Sequence, residues 1–422
     1  MTRSSSGFAN LVKNSSMMFG LNLAGAGVSV ITIPIMLAIA GVQAYGHLIL
    51  VQSLALTAFT ICSFQYWQGM LVALPGHKIE AAVLKRSVWT SLRYELLGIS
   101  IVVLGAIVLG AIGLPQTAEF DTLQLLLLAL SAVFPVIGTH TAYFRLVNRY
   151  NVLMLAGFTA NLLKLLCLVG VSHYAPTVTN MVLAFSIPEF VRCALLFYLI
   201  YRWNDGIEGT LDGGTIDRVK VRRAGRWSTL QAIADLPVNQ VDRIIIGFTL
   251  PGASLGVFAI LKRIYSLVNM ATSPFYSTSI PEFAAKANAG DIKGAFELWR
   301  RTMKMLFSVT AVVALACIVS KGIWMPLVFP VLQPYNIEFI IVLVTAVAAG
   351  TFITTHSLYW ALGHLRQTTI IAVGSNACYL LVLAAFTWLG GLTGSVLAFL
   401  VHVLLVAGLK IILLKRVKKT NI

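Results

Sequence analysis

The sequence predicts an all-α integral membrane protein of about twelve transmembrane helices. Three observations carry that prediction. The chain of 422 residues is 58% hydrophobic and only 11% charged, whereas soluble domains average roughly 25% charged residues. Its apolar runs are long enough to span a bilayer and lack the alternation of a strand, so helices rather than a closed barrel satisfy the backbone. Its basic residues are 31 against 15 acidic for a net charge of +16, and those outside the apolar runs fall on one side of them, as the positive-inside rule requires.

The elements follow in order. Between Lys13 and Lys78 there is no Asp, Glu, Lys or Arg, which leaves room for spans 15–38 and 46–72, joined at Gly41, Val42 and Gln43. The apolar run behind Met1–Ser16 is too long for the core of a signal peptide and reads as an uncleaved first span. Spans 95–114, 123–143, 151–171 and 178–200 complete a first half, 1–200. A Gly- and charge-rich segment, 201–226, reads as a cytoplasmic linker loop. Spans 227–250, 254–277, 304–328, 338–360, 366–388 and 393–414 form a second half, 227–422. Phe283, Phe296, Leu298 and Trp299 among Lys and Arg make 281–303 either an amphipathic helix on the inner leaflet or a solvated loop.

Placing the N-terminus inside puts Lys78, Lys85, Arg86 and Arg93, the Arg and Lys cluster of 202–226, that of 286–304 and Lys410–Lys419 on the cytoplasmic face. It leaves no Lys or Arg in the outer loops. The C-terminus is then cytoplasmic as well, and the net charge needs no nucleic-acid partner to explain it. Cys62, Cys167, Cys193, Cys317 and Cys378 all sit in apolar stretches without paired spacing and read as small buried hydrophobes. His47, His140, His356 and His402 show no ligand spacing, so no metal site is expected. Neither a Walker loop nor a nucleophile elbow is present, and the sequence calls for no cofactor and no enzymatic activity.

A weak internal repeat relates the halves. Gly46 matches Gly256, Tyr143 and Phe144 match Tyr359 and Trp360, Asn161 matches Asn376, and Pro115 matches Pro330, all at a separation near half the chain. Parallel repeats of this kind are a transporter pattern.

The hairpin 227–268 carries sharper residues: Trp227-Ser228-Thr229-Leu230, then Val241-Asp242-Arg243-Ile244-Ile245-Ile246-Gly247, then Leu255-Gly256-Val257-Phe258-Ala259 and Tyr265. With Asn14, Pro34 and Ala44-Tyr45-Gly46 of the first hairpin, it resembles the polysaccharide transport family of the multidrug/oligosaccharidyl-lipid/polysaccharide exporter group. The resemblance implies two six-helix bundles forming a V around a central cavity. It also implies a Wzx-type flippase of a bacterial inner membrane, moving undecaprenyl-diphosphate-linked oligosaccharide, such as an O-antigen repeat unit, to the periplasmic leaflet. Polysaccharide polymerase and chain-length proteins would be its further partners. The lipid II flippases of the same group carry arginines near the start of their N-terminal half, and the charge-free stretch after Lys13 departs from that branch.

Charges inside spans are costly and mark candidate function. Asp242 and Arg263 lie at similar depth on either side of the turn near Gly252 and are placed to pair across the hairpin, with Lys262 or Arg243 as a further member. Asp235, Asn239 and Asp242 share one helical face, which Pro237 interrupts. Asp235 is the first candidate for proton or cation coupling, its alternative being a solvated residue near the inner end. Glu189 and Arg192 are spaced for an intrahelical pair. Lys164 has no acid nearby in sequence, so it either faces a cavity or snorkels outward. Lys164, Arg192, Arg243, Lys262 and Arg263 are thus the expected substrate-binding cations, and Asp235, Asp242 and Glu189 the expected coupling acids. Tyr66, Trp67, Tyr143, Tyr265 and Tyr276 could stack on sugar faces or anchor at the interface. Two alternatives stand beside the flippase: an ion-coupled multidrug or cation antiporter of the same group, which calls for an acidic cavity, and a membrane glycan polymerase or ligase, which calls for a large outer loop.

Overall fold

The computed structural model describes residues 3–421 apart from 75–76, 115–118, 204, 208–210, 213–216 and 271. Side chains are not described in 3–26, 29, 77, 211–212, 273–274, 276–278, 280–281, 288, 360, 365–366 and 415–421. Among the described residues the chain is all-α but for one pairing of two-residue strands, β1 (His77–Lys78) and β2 (Leu211–Asp212), and an adjoining bridge between Ile79 and Ile207. Fourteen helices follow in order among the described residues. Nine stretches of them are long and apolar enough to cross a membrane.

Helix α1 (Arg3–Cys62) contains the first two expected spans, parted where Gly41 takes φ 79° and ψ 168°. That conformation is open essentially to glycine alone, so the turn between spans is written at one residue. The second span ends early, at Ser63-Phe64-Gln65, and continues as the short α2 (Tyr66–Ala73). Helix α3 (Ala81–Ile112) begins well before residue 95; its first turns, charged on the surface, extend beyond the apolar stretch. Span four is broken in two. Asp121 and Gln124 form a reciprocal capping box at the start of α4 (Thr122–Val133), and Pro135 forces a 3₁₀ turn before α5 (Gly138–Leu146). Helices α6 (Tyr150–Tyr174) and α7 (Val178–Arg202) match their expected spans closely.

Helix α8 (Arg218–Leu236) passes through a π-helical segment, Pro237–Val241, into α9 (Asp242–Thr249), so Pro237 does interrupt the seventh span. The wide π turn also corrects one expectation: Asn239 is exposed while Asp242 is fully buried, so the two do not share a face. Then come α10 (Gly252–Met270), α11 (Ser273–Asn288), α12 (Ile292–Val328), α13 (Asn336–Ala361) and α14 (Leu365–Asn421). Gly391 at φ 55° turns the chain within α14, dividing its two spans.

Two compact units result, Met1–Ile233 and Ala234–Ile422. In the first, Tyr66, Met70, Leu84, Val88, Tyr143, Phe144, Ile200 and Val221 form a buried core at the end that carries α2 and the start of α8. The segment 201–226 thus includes helical turns that pack on this unit. A Cβ on Gly69 would lie 2.1 Å from the Val221 carbonyl oxygen, and the Thr229 hydroxyl accepts from the Gln65 amide at 3.1 Å. In the second unit, Phe283, Phe296 and Trp299 pack against Leu358, Tyr359 and Leu414, and the Trp299 indole donates to the Thr355 hydroxyl at 3.3 Å. The aromatic residues of 281–303 therefore face protein, and the segment is neither a solvated loop nor a helix lying on lipid. Outward positions such as Leu104, Val319 and Leu381 are left exposed, as lipid-facing helices require.

Candidate functional site

In the first unit the polar cluster begins on α6. Its buried residues are Ala156, Ala160, Lys164 and Leu168, one per turn, and the small ones let neighbours approach closely. Lys164 lies on this inward stripe, 8% exposed, so it does not snorkel. Its ammonium reaches α7, donating to Glu189 Oε1 at 2.8 Å, and sits 4.3 Å from the centre of the Phe185 ring. Glu189 Oε2 faces the Arg192 Nε at 3.2 Å, three residues along the same helix. The intrahelical pair expected from spacing therefore forms, and Lys164 shares its acid. One carboxylate thus serves two cations. The guanidinium Nη2 of Arg192 is buried and without a hydrogen-bond partner among the described residues. Arg192 lies over Gly157, whose Cβ, if present, would meet Nη1 at 3.9 Å. His140 on α5 is buried within electrostatic range of Arg192.

Glu95, not foreseen as a site residue, completes this cluster. It is 1% exposed and caps the broken span four: its carboxylate accepts from the Gly138 amide at 2.6 Å, the Thr139 amide at 3.3 Å and the Thr139 hydroxyl. The N-terminus of α5 has no side-chain cap of its own, and its partial positive charge suits a carboxylate. Placing the start of the span at residue 95 hid this acid. The stripe Leu84, Val88, Ser91, Glu95, Gly98 and Val102, all buried at helical spacing, is the signal that could have found it. Glu338 is a second such case; it lies at the edge of its expected span, is buried, and accepts from the Thr393 hydroxyl. With both acids counted, the intramembrane surplus of positive charge is smaller than the sequence reading implied.

In the second unit the pair across the hairpin forms with a different partner. Asp242 Oδ2 meets the Lys262 ammonium at 2.5 Å, not the Arg263 guanidinium. Successive helical residues point 100° apart, and Lys262 is the one that α10 turns toward α9. Tyr379 on α14 donates to the same Oδ2 at 3.2 Å. Arg243 contributes its backbone amide to Oδ1 at 2.7 Å, while its buried Nε finds no partner among the described residues. Asp235 is half-buried, with Lys410 the cation that acts on it. Arg263 is half-buried and takes part in its own interactions.

The aromatic residues are mostly committed to packing. Tyr66 and Tyr143 are buried in the first unit's core, Trp67 covers Gly138, and Tyr265 meets Phe399 edge-on at 4.9 Å. The side chain of Tyr276 lies outside the described residues. No group of three His, Cys, Asp or Glu gathers as a metal site would require, among the described residues.

Residues 54–329 match the family described as polysaccharide biosynthesis protein. The chain belongs to that family. No curated protein sequence matches the chain. Its fold is shared with solved transporters, several of them described as members of the MOP superfamily. The lipid II flippase MurJ, in an inward closed conformation, aligns with a TM-score of 0.69 at 13% identity, over 96% of this chain and 87% of that one. An inward-facing multidrug resistance MATE transporter aligns with a TM-score of 0.62 at 14% identity, over 95% and 96%. A superfamily transporter from Pyrococcus furiosus, described as having a binding pocket of reversed polarity, aligns with a TM-score of 0.56 at 15% identity, over 96% and 94%. The chain is thus a multi-pass membrane protein with the fold of these transporters, as the resemblance of its hairpins led us to expect.

Proposed function

We propose that this protein is a flippase moving undecaprenyl-diphosphate-linked oligosaccharide from the cytoplasmic to the periplasmic leaflet of a bacterial inner membrane by alternating access, with both termini cytoplasmic. The observation that carries this reading is the single acid, Glu189, serving both Lys164 and Arg192. The second cation keeps a buried donor unspent. At low dielectric a cation with an unspent donor attracts an anion far more strongly than in water, and a diphosphate supplies acceptor oxygens that match a guanidinium fork. A cation antiporter would call for an acidic cavity instead. Asp235, half-buried beside Lys410, and Glu189 are the acids we assign to ion coupling.

The test is Arg192→Ala and Lys164→Ala in cells that depend on this gene for surface glycan. We expect export to be lost while the protein remains in the membrane. Normal glycan in the double replacement would overturn the assignment.

A further inference from the structure

We propose that Asp242, the Val238 carbonyl and the rings around them form a monovalent-cation site whose resident occupant is the chain's own Lys262 ammonium. The argument starts from the backbone. In a continuous α-helix the Val238 carbonyl would bond the amide of Asp242, four residues on. Here the Asp242 amide is bonded to Gln240 and Pro237 instead, and the next amide, of Arg243, turns to the Asp242 carboxylate. The π segment thus releases the Val238 carbonyl, which bonds Lys262 Nζ at 2.5 Å. The same Nζ lies 2.5 Å from Asp242 Oδ2. Its remaining surroundings are aromatic: the Phe399 and Phe258 ring centres stand 4.9 Å and 5.7 Å away.

An ion-pair lock needs only the carboxylate. A carboxylate joined by a released carbonyl and two π faces is the donor set of a desolvated monocation. One carboxylate is too little charge, and two oxygens too few ligands, for calcium or magnesium. The Tyr379 hydroxyl holds the carboxylate from the far side, and His402 stacks on that ring at 4.7 Å. Among the described residues Arg243 is the other charged group acting on Lys262 and Tyr379. Asp242 is fully buried and Lys262 7% exposed, so the site is built and closed. With Lys262 in place the protein has no need of sodium or potassium here. Removing the lysine side chain leaves a negatively charged cavity that a small free cation should enter. The inference does not depend on which substrate is carried.

The experiment is thermal unfolding of the purified full chain in detergent, with sodium, potassium or methylammonium titrated against N-methylglucamine at constant ionic strength. Wild type should show no cation-specific change. Lys262→Ala should gain a saturable rise in Tm of several degrees with the small cations, and Lys262→Ala/Asp242→Asn should lose it. Recovery of Lys262→Ala from membranes only when one of those cations is present during extraction would also support the site. A folded Lys262→Ala with no cation response would overturn the proposal. So would an equal response in the double variant, or a Lys262→Ala that is lost in every salt while the double variant is recovered.

Discussion

Replacing Glu189 with Gln asks whether this carboxylate is a shared counter-charge for two cations. Its side chain is 5% exposed, with Lys164 at 11% and Arg192 at 15%, so solvent screens the cluster little. Gln keeps the volume but leaves two buried cations facing one another. Removing one partner of a buried pair costs about 3–5 kcal/mol, and mutual repulsion of the survivors adds to it. Lys164→Met is the comparison, because it leaves Glu189 paired with Arg192 at 3.2 Å and forfeits one charged hydrogen bond, worth about 1.5–3 kcal/mol. At roughly 2–4 °C per kcal/mol for a unit of this size, Glu189→Gln should lower Tm by about 10 °C and Lys164→Met by less. Adding Lys164→Met to Glu189→Gln should restore part of the loss. Thermal melts of the detergent-purified variants followed by size exclusion give the order. A Glu189→Gln no worse than Lys164→Met, or a double variant worse than either single one, would refute the shared counter-charge.

Two further outcomes follow from groups outside that triad. Glu95→Ala orphans the Gly138 and Thr139 amides at the break in span four, at about 1–3 kcal/mol per buried donor, while the Thr139 hydroxyl keeps Ser91 at 2.9 Å. Its Tm should fall markedly, with Glu95→Gln falling less, and equal Tm values for wild type and Glu95→Ala would remove Glu95 as the cap. Asp291 caps α12, and the Gly294 amide at 2.8 Å and then the Lys286 ammonium at 3.3 Å hold its carboxyl below the usual range. A lowered native pKa means that the cap is in force above the ordinary value of about 3.9 and is lost as pH falls through the native one. The hydrogen-exchange protection factors at Gly294 and Ala295, corrected for the intrinsic rate, should therefore fall on acidification in that window. Asp291→Asn should exchange faster at neutral pH too, and protection independent of pH would count against the cap.

Much of this protein was legible before its structure. Lipid as the solvent, the order of the spans, the turn at Gly41, the interruption at Pro237 and the Glu189–Arg192 pair all follow from local quantities: composition, run length, backbone freedom at one residue, and helical spacing. Those are properties of short stretches of chain, and short stretches reveal them. What only the tertiary structure decided is which buried charge meets which. Lys164 and Glu189 are joined by the packing of α6 on α7, and Asp242 chose Lys262 over its neighbour because of the rotation of α10. Glu95 found its role only when the break in span four was brought against α3. Periodicity says which face of a helix is buried; it does not say what stands opposite that face. In a membrane interior, where each unmatched charge is expensive, the partner opposite determines whether a residue is a lock, a cap or a binding group.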